Sequence, residues 1–597
     1  MDGLVAKLNY GLDFSDADRV TLISGKSNNV GNNVTGNGLG QLNNNQTLNH
    51  LVEATATYNK SFGSVEMEVL GGYSIQSFKN TYNWVIARGF SDFNFDQMES
   101  DIRDSFDAAD AAASSATSEY NNWGISNDIT GGTETSGGFA MSFPDLAPVY
   151  FSRPGGVSVN SLAANFYDRT DYLQSYFSRA NFTISGKYLI TATVRVDGSS
   201  TFGDNNKYGV FPSAAFAWQL HEEGFVPDFF NTLKLRVGYG IVGNQDGLGY
   251  GNFVRRERAA DVGIGDNGSI AVPGTTTQGE ANNDLKWEET TQQTIGFDFG
   301  FFGERVFGSL DFYKKETSDL LLNVQLAQPA LAATRFENLD AIVENKGWEL
   351  ELGFEAIESN DVSLTISGNV SQNKNMVRDF NGNINAGTIY GQGLSGAFAQ
   401  QLTGGRPLFS YYLREFAGFD GDGQPIRDDQ KFVNKSALPE WNAGLSINLA
   451  VGDFDFSAYA AGQFGFWIYN NTENAFFTAG AIANGRNVTA DVLTSGESGV
   501  AEAAVSERFL HKGDFIRMQN VSVGYNVPVD GASVFKNLRF SLNVQNLFLI
   551  TEYNGIDPEV STQAANFQLL NNLPTAGVDW AAYPRPRTFT LGLNATF

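Results

Sequence analysis

The sequence contains no cysteine, which excludes disulfides, thiolate metal sites and a cysteine nucleophile. Histidine is nearly absent: His50, His221 and His511 stand far apart, so no poly-histidine metal centre is expected and each reads as an ordinary loop or strand residue. No run of about 18 apolar residues occurs, which excludes a membrane-spanning helix but not strands that alternate their way across a bilayer. The mean hydropathy of −0.22 is therefore no argument against a membrane. Charge is also scarce, at 18% of residues against roughly 25% in soluble domains. Its balance of −27 repels phosphate backbones and argues against a nucleic-acid partner. No linker divides the 597 residues, so residues 1–597 are expected to form one domain grown by adding strands. The opening MDGLVAKLNYGLDF has neither a basic nor an apolar leader region; for an exported chain the expectation is a fragment or a mis-started reading frame.

What is abundant is aromatic and alternating. Phe, Tyr and Trp make up 13%, as a lipid-facing β-surface requires. In RTFTLGLNATF, Phe589, Leu591, Leu593, Ala595 and Phe597 alternate with Thr588, Thr590, Gly592, Asn594 and Thr596. Successive strand residues point to opposite faces, so one face suits hydrocarbon and the other water. NLRFSLNVQNLF and WNAGLSINLAV repeat the pattern. Further alternating segments fall near 4–14, 48–61, 63–81, 170–186, 187–202, 207–223, 233–245, 287–302, 305–323, 341–359, 361–380, 408–420, 453–470 and 514–528. About sixteen strands are expected. Their polar face is rich in Asn, Ser, Thr, Gln and Gly, which line a hydrated lumen but do not fill a dry core.

Short-turn candidates are Phe62-Gly63, Ser185-Gly186, Asn360-Asp361 and Gly452-Asp453, where Gly, Asn and Asp supply unusual backbone angles. Long connections are expected near 24–46, 85–160, 245–284, 378–407, 471–510 and 550–586. Short turns at one end and long loops at the other are the habit of membrane barrels. Within the second long loop, Met98, Ile102 and Phe106 recur every four residues; the spacing predicts an amphipathic helix, packed on the loop or gating it.

The motifs that could carry chemistry have simpler readings. GQGLSG, from Gly391 to Gly396, fits G-x-G-x-x-G but lacks the strand and helix that would present a pyrophosphate. Asp420, Asp422, Asp428 and Asp429 cluster in GFDGDGQPIRDDQ; Ca²⁺ binding competes there with a solvated acidic turn, and an EF-hand's spacing is missing. Glu288 and Glu289 fall on opposite strand faces and do not form a hydrolytic pair. No catalytic residue and no cofactor is nominated. The aromatics Tyr82, Trp84, Tyr411, Tyr412, Trp467 and Tyr469 are expected at strand ends, as an interfacial girdle or as stacking surfaces for sugars or peptides.

Six blocks in order, VDGSSTFGDNNKYGVFPSAAFAWQLHEEGF, LKWEETTQQTIGFDFGFFGERVFGSLDFYKKETSDLLL, ENKGWELELGF, GDFIRMQNVSVGYNVP, LRFSLNVQNLFLITEYNGIDPEV and YPRPRTFTLGLNATF, resemble the SusC/RagA-like branch of TonB-dependent outer-membrane transporters. The resemblance implies an all-β fold: a transmembrane antiparallel β-barrel, here about sixteen strands of twenty-two, with the N-terminal plug absent. It implies import of oligosaccharides or peptides driven by proton-motive force, with a SusD-like surface lipoprotein and the TonB-ExbB-ExbD complex as partners. The lipid bilayer and the outer-membrane assembly machinery are implied as well, with Phe597 as the assembly signal. The place is the bacterial outer membrane. Substrate would meet the loops 85–160 and 471–510. Sixteen strands leave two open edges, so the isolated chain is expected to need its missing strands. Two alternatives stay open, a passive pore or structural barrel and a soluble all-β carbohydrate-binding protein.

Overall fold

A computed structural model describes the chain except residues 1–2, 28–35, 91, 116–137, 143–148, 153–158, 160, 247, 249–252, 254–255, 265–270, 333, 388–391, 395–396, 484, 502–503, 530–533 and 561–574. Strand accounts for 61% of it, as the alternation requires. Sixteen strands run as an antiparallel meander: β1 (Leu4–Ile23), β2 (Leu39–Phe62), β3 (Val65–Arg88), β4 (Ser161–Ile184), β5 (Tyr188–Ser199), β6 (Tyr208–Gln219), β7 (Phe230–Asn244), β8 (Glu288–Phe301), β9 (Val306–Ser318), β10 (Ile342–Glu358), β11 (Val362–Arg378), β12 (Trp441–Val451), β13 (Phe454–Phe464), β14 (Phe515–Asn526), β15 (Asn537–Thr551) and β16 (Thr588–Thr596). Each pairs with the next in chain order. Among the described residues β1 meets only β2 and β16 meets only β15, so the sheet is open rather than closed.

Register carries one set of apolar residues across seven neighbouring strands, β10 to β16. Leu591 faces Leu542, Leu542 faces Val523, Val523 faces Phe456 and Phe456 faces Leu449. Leu449 meets Leu364, and the row continues through Ile357 on β10. On β1 the outward residues Leu8, Tyr10, Leu12 and Phe14 are 58–75% exposed. A one-residue slip would turn every such row inward, so the two-faced pattern fixes the register.

The ends differ as expected. At one end the turns are as short as 63–64 and 452–453, while at the other the loops run as long as 89–160 and 379–440. Ser185 (φ +55°) and Gly452 (φ +54°) hold the left-handed backbone of two tight turns; glycine adopts it freely and serine at some cost. Aromatics gather at the short-turn end, with Phe229 4.2 Å from Phe230 and Phe454 4.3 Å from Tyr525 between ring centroids, as an interfacial girdle would.

The strands extend further than the alternation shows. β2, β3 and β4 are 24 residues long, about 80 Å at ~3.4 Å per residue, whereas a tilted membrane strand needs about 9–11 residues. The excess projects past the apolar band at the long-loop end. There a helix, Phe95–Ser115, buries Met98 and Ile102 against Leu42, Val85, Ala87, Phe90 and Val159. Leu42 and Val85 are register partners on the outward face, so this helix packs on the outside of the wall, not in the lumen; the side chain of Phe106 lies outside the described residues. One expected strand is corrected. Within 408–420 only Ser410–Arg414 is strand, and it pairs in a small loop sheet, not in the meander.

Candidate functional site

The inward face is polar and tied by charge. On β7, Arg236 donates to Asp298 of β8 (2.7 Å) and to Asp311 of β9 (3.0 Å). On β15, Arg539 donates to Asp455 of β13 (2.8 Å). The Arg236–Asp311 and Arg539–Asp455 bridges each cross an intervening strand at a glycine. A Cβ on Gly296 would lie 2.2 Å from Asp311 Oδ1, and one on Gly524 would lie 2.1 Å from Arg539 Nη2. Those glycines are required by the close approach of charged groups. Gly524→Val is therefore expected to displace Arg539, seen as altered single-channel conductance or lost inner-wall protection from arginine-directed reagents in the intact receptor. Elsewhere on this face Tyr313 donates to Asn373 (3.0 Å) and Asn345 accepts from Asn373 and Asn375. Water-facing amides and hydroxyls of this kind suit a hydrated passage.

At the long-loop end the loops 379–440, 465–514 and 552–587 interlock. Strand Trp467–Asn470 of one pairs with Leu510–Lys512 and with Val578–Asp579 of another. Leu394, Tyr411, Leu413, Tyr469 and Val578 are wholly buried between them. The Tyr411 hydroxyl donates to the carbonyl of Gly577 (2.7 Å) and lies 2.9 Å from that of Trp467, so one side chain joins all three loops. Burial raises its pKa and keeps it neutral. Tyr411→Phe removes the one hydroxyl donor that ties these loops, while the Gly577 carbonyl still accepts from the Tyr469 backbone (2.8 Å), and is expected to cost about 0.5–1.5 kcal/mol, read as faster protease nicking within 552–587 at unchanged sheet content.

The loop body is fastened to the wall by ions. Arg517, on β14, lies 2.6 Å from both Asp557 and Glu559, and Arg585 lies 3.0 Å from Glu559. These residues come from three of the blocks that carry the resemblance, GDFIRMQNVSVGYNVP, EYNGIDPEV and YPRPR, and were not singled out from sequence. An unpaired-looking charge inside each such block was the available signal. Beside them Tyr553 donates to Asp579 (2.6 Å); burial first, then the charge of Asp579, raises the tyrosine pKa.

His50 accepts or donates 2.9 Å from the Tyr10 hydroxyl, His221 sits 3.1 Å from the Leu233 carbonyl, and His511 lies 2.8 Å from Glu473. Of GQGLSG, Gln392 to Leu394 are described, and Leu394 is a buried packing residue. Asp420 Oδ1 accepts from the backbone of Asp422 (2.9 Å) and Gln424 (2.8 Å), capping its own turn. Glu288 accepts from Asn244 (2.9 Å) on the inward face. Tyr411 and Tyr469 belong to the loop core, neither girdle nor stacking surface, because their loops pack on each other instead of lying in the interface. Trp467 is covered by Lys435, whose Nζ lies 3.9 Å from the ring centroid. Phe597 is exposed and lies 5.1 Å from Phe535.

Comparison with protein families matches residues 3–547 to "TonB dependent receptor-like, beta-barrel". TonB-dependent receptor P3 of Formosa agariphila is 29% identical, over 92% of this chain and 52% of its own length. TonB-dependent receptor SusC of Bacteroides thetaiotaomicron is 30% identical, over 72% of this chain and 44% of its own. Among solved structures, the RagAB peptide importer in the 'open-open' state superposes with a TM-score of 0.74 at 19% identity, covering all of this chain and 59% of that one, a likeness of fold. The chain thus spans about half the length of the curated relatives it matches. The family is one of transporters and receptors, not enzymes. The chain belongs to the TonB-dependent receptor family, in its SusC/RagA-like branch, whose β-barrels reside in the outer membrane of Gram-negative bacteria.

Proposed function

We propose that residues 1–597 are the barrel portion of an importer that takes oligosaccharides or peptides across the outer membrane. One observation supports the reading: the inward face carries ion bridges across β7–β9 and β13–β15 and linked amides across β9–β11, and at its long-loop end three loops form one packed body. Such a wall offers hydrogen bonds to a bulky hydrated solute. About sixteen of twenty-two strands would be contributed here, with the remainder and a plug supplied by the intact receptor. Energy would come from proton-motive force through the TonB-ExbB-ExbD complex. A SusD-like surface lipoprotein would cap the loop end. Phe597, exposed at the end of the outward apolar row, would serve the assembly machinery as its recognition handle.

The test is genetic and uses the whole receptor. Deleting its gene is expected to abolish growth on one oligosaccharide or peptide mixture while growth on the monomers persists, and uncoupling the proton-motive force should mimic the deletion. Uptake that continues unchanged after uncoupling would favour a passive pore and overturn the energised reading.

A further inference from the structure

On the outward face the apolar rows of β9, β10, β11 and β12 end in Phe312, Trp348, Gln372 and Trp441, which are successive register partners. The two indoles meet edge to face at 5.8 Å, and Trp348 donates to Gln372 (3.2 Å). Tryptophan at this position marks headgroup depth. Two residues further toward the loops, and on the same face because the side-chain period is two, stand Lys314, Lys346 and Lys374. Lys314 is the register partner of Lys346, and Lys346 of Lys374. With strands ~4.8 Å apart the row is about 10 Å wide.

The surroundings arrange this charge without cancelling it. Glu344 lies 3.1 Å from Lys346, 3.5 Å from Lys314 and 3.2 Å from Arg378, while Glu316 lies 3.1 Å from Lys314 and also pairs with Arg378. Four cations thus face two carboxylates, with Glu440 held further along by Gln372 (2.8 Å). Lys374 is exposed and forms no ion pair among the described residues. It borders a cavity of about 410 Å³ that Asn434, Lys435, Ser436, Glu440 and Trp467 also line. Net positive charge here stands out in a chain of −27. Long loops mark the extracellular end of such proteins, so the row sits at the rim of the outer leaflet.

We propose that Lys314, Lys346 and Lys374 form a binding site for a phosphorylated glycolipid headgroup of the outer leaflet. Phosphate oxygens accept from the ammonium row, where lysine acts as a point charge, and the sugar portion lies toward the polar cavity. The site rests on the orientation of the strands in the membrane and is independent of which solute is imported. Lysines that merely snorkel from the bilayer would need no particular headgroup, and this difference is measurable.

The experiment uses the full-length receptor in nanodiscs, with lipid binding read by native mass spectrometry. Probes are bisphosphorylated lipid A, its monophosphoryl form and a phosphate-free glycolipid. The parent is expected to retain bisphosphorylated lipid A at least ~10-fold better than the phosphate-free lipid. The triple variant K314Q/K346Q/K374Q should lose that preference, while Lys60→Gln at the opposite rim should keep it. Lys374→Gln alone, which disturbs no ion pair, is expected to weaken retention ~2–3-fold and serves if the triple variant fails to assemble. Equal retention of phosphorylated and phosphate-free lipid, or an unchanged preference in both lysine variants, would overturn the proposal. Displacement of lipid A by millimolar inorganic phosphate would overturn it too, as a site for free anions.

Discussion

Replacing Arg517 by alanine is expected to detach the 552–587 loop from the wall of the sheet. The guanidinium is 4% exposed and Asp557 8%, with Glu559 beside them at 22%. Removing the cation strands two carboxylates in a low-dielectric setting, and breaking a buried pair by deleting one partner costs about 3–5 kcal/mol. Among the described residues Arg585 pairs with Glu559 (3.0 Å) and not with Asp557. Because Val578 and Asp579 of this loop pair with Trp467–Asn470, the damage should spread into the loop body. Limited proteolysis of intact cells should then cut within 552–587 at least ten times faster, with strand content by circular dichroism nearly unchanged. Arg517→Lys should rescue in part, since an ammonium restores charge but not the two-carboxylate fork. Unchanged proteolysis in Arg517→Ala would mean that apolar packing alone holds the loops.

The second large effect separates the two faces of one strand. Leu542 lies mid-strand on β15 between Val523 and Leu591, and its neighbour Asn543 lies between Ser522 and Thr590. Arginine at position 542 would place a cation near the middle of the hydrocarbon, at a cost of about 2–4 kcal/mol. Arginine at 543 would enter the polar side and is expected to cost under about 0.5 kcal/mol. Folding into lipid vesicles, followed by denaturant titration of the full-length receptor, reads the difference. Equal destabilisation at the two positions would remove the distinction between the faces.

Where strands cross hydrocarbon, the sequence was legible, because lipid and water select alternate residues. Thr588–Thr596, Asn537–Phe548 and Trp441–Val451 showed it plainly, and all three stand in the meander. Beyond the apolar band the selection stops. Asn43, Asn44 and Asn45 are polar on both faces, so the start of β2 at Leu39 carried no period, and the end of β3 at Arg88 was hidden likewise. The 408–420 segment failed for the opposite reason: Tyr411 and Leu413 alternate because they plug a loop core, a pattern that five residues of loop strand share with a membrane strand. The hairpin Leu320–Gln325 with Thr334–Leu339 was missed, its first strand merged into β9. Irregular pairing between Met518 and Asn520, together with the left-handed Asn546 (φ +52°), shifts the parity of β14 and β15 and so turns Arg517 inward, which the alternation alone does not show. The lysine row is invisible in the sequence for a simple geometric reason. Lys314, Lys346 and Lys374 become neighbours only through the register of three strands.

The absence of cysteine makes the two-faced wall directly measurable. Single cysteines placed at 540, 541, 542, 543 and 544 of the full-length receptor, in native outer membranes, can be challenged with a small membrane-impermeant maleimide. Positions 541 and 543 should label and 540, 542 and 544 should not, while a lipid-soluble maleimide should reach the latter three. Uniform labelling along the stretch, or labelling of 542 in preference to 543, would rule out a sheet whose apolar rows touch hydrocarbon and whose polar rows line water.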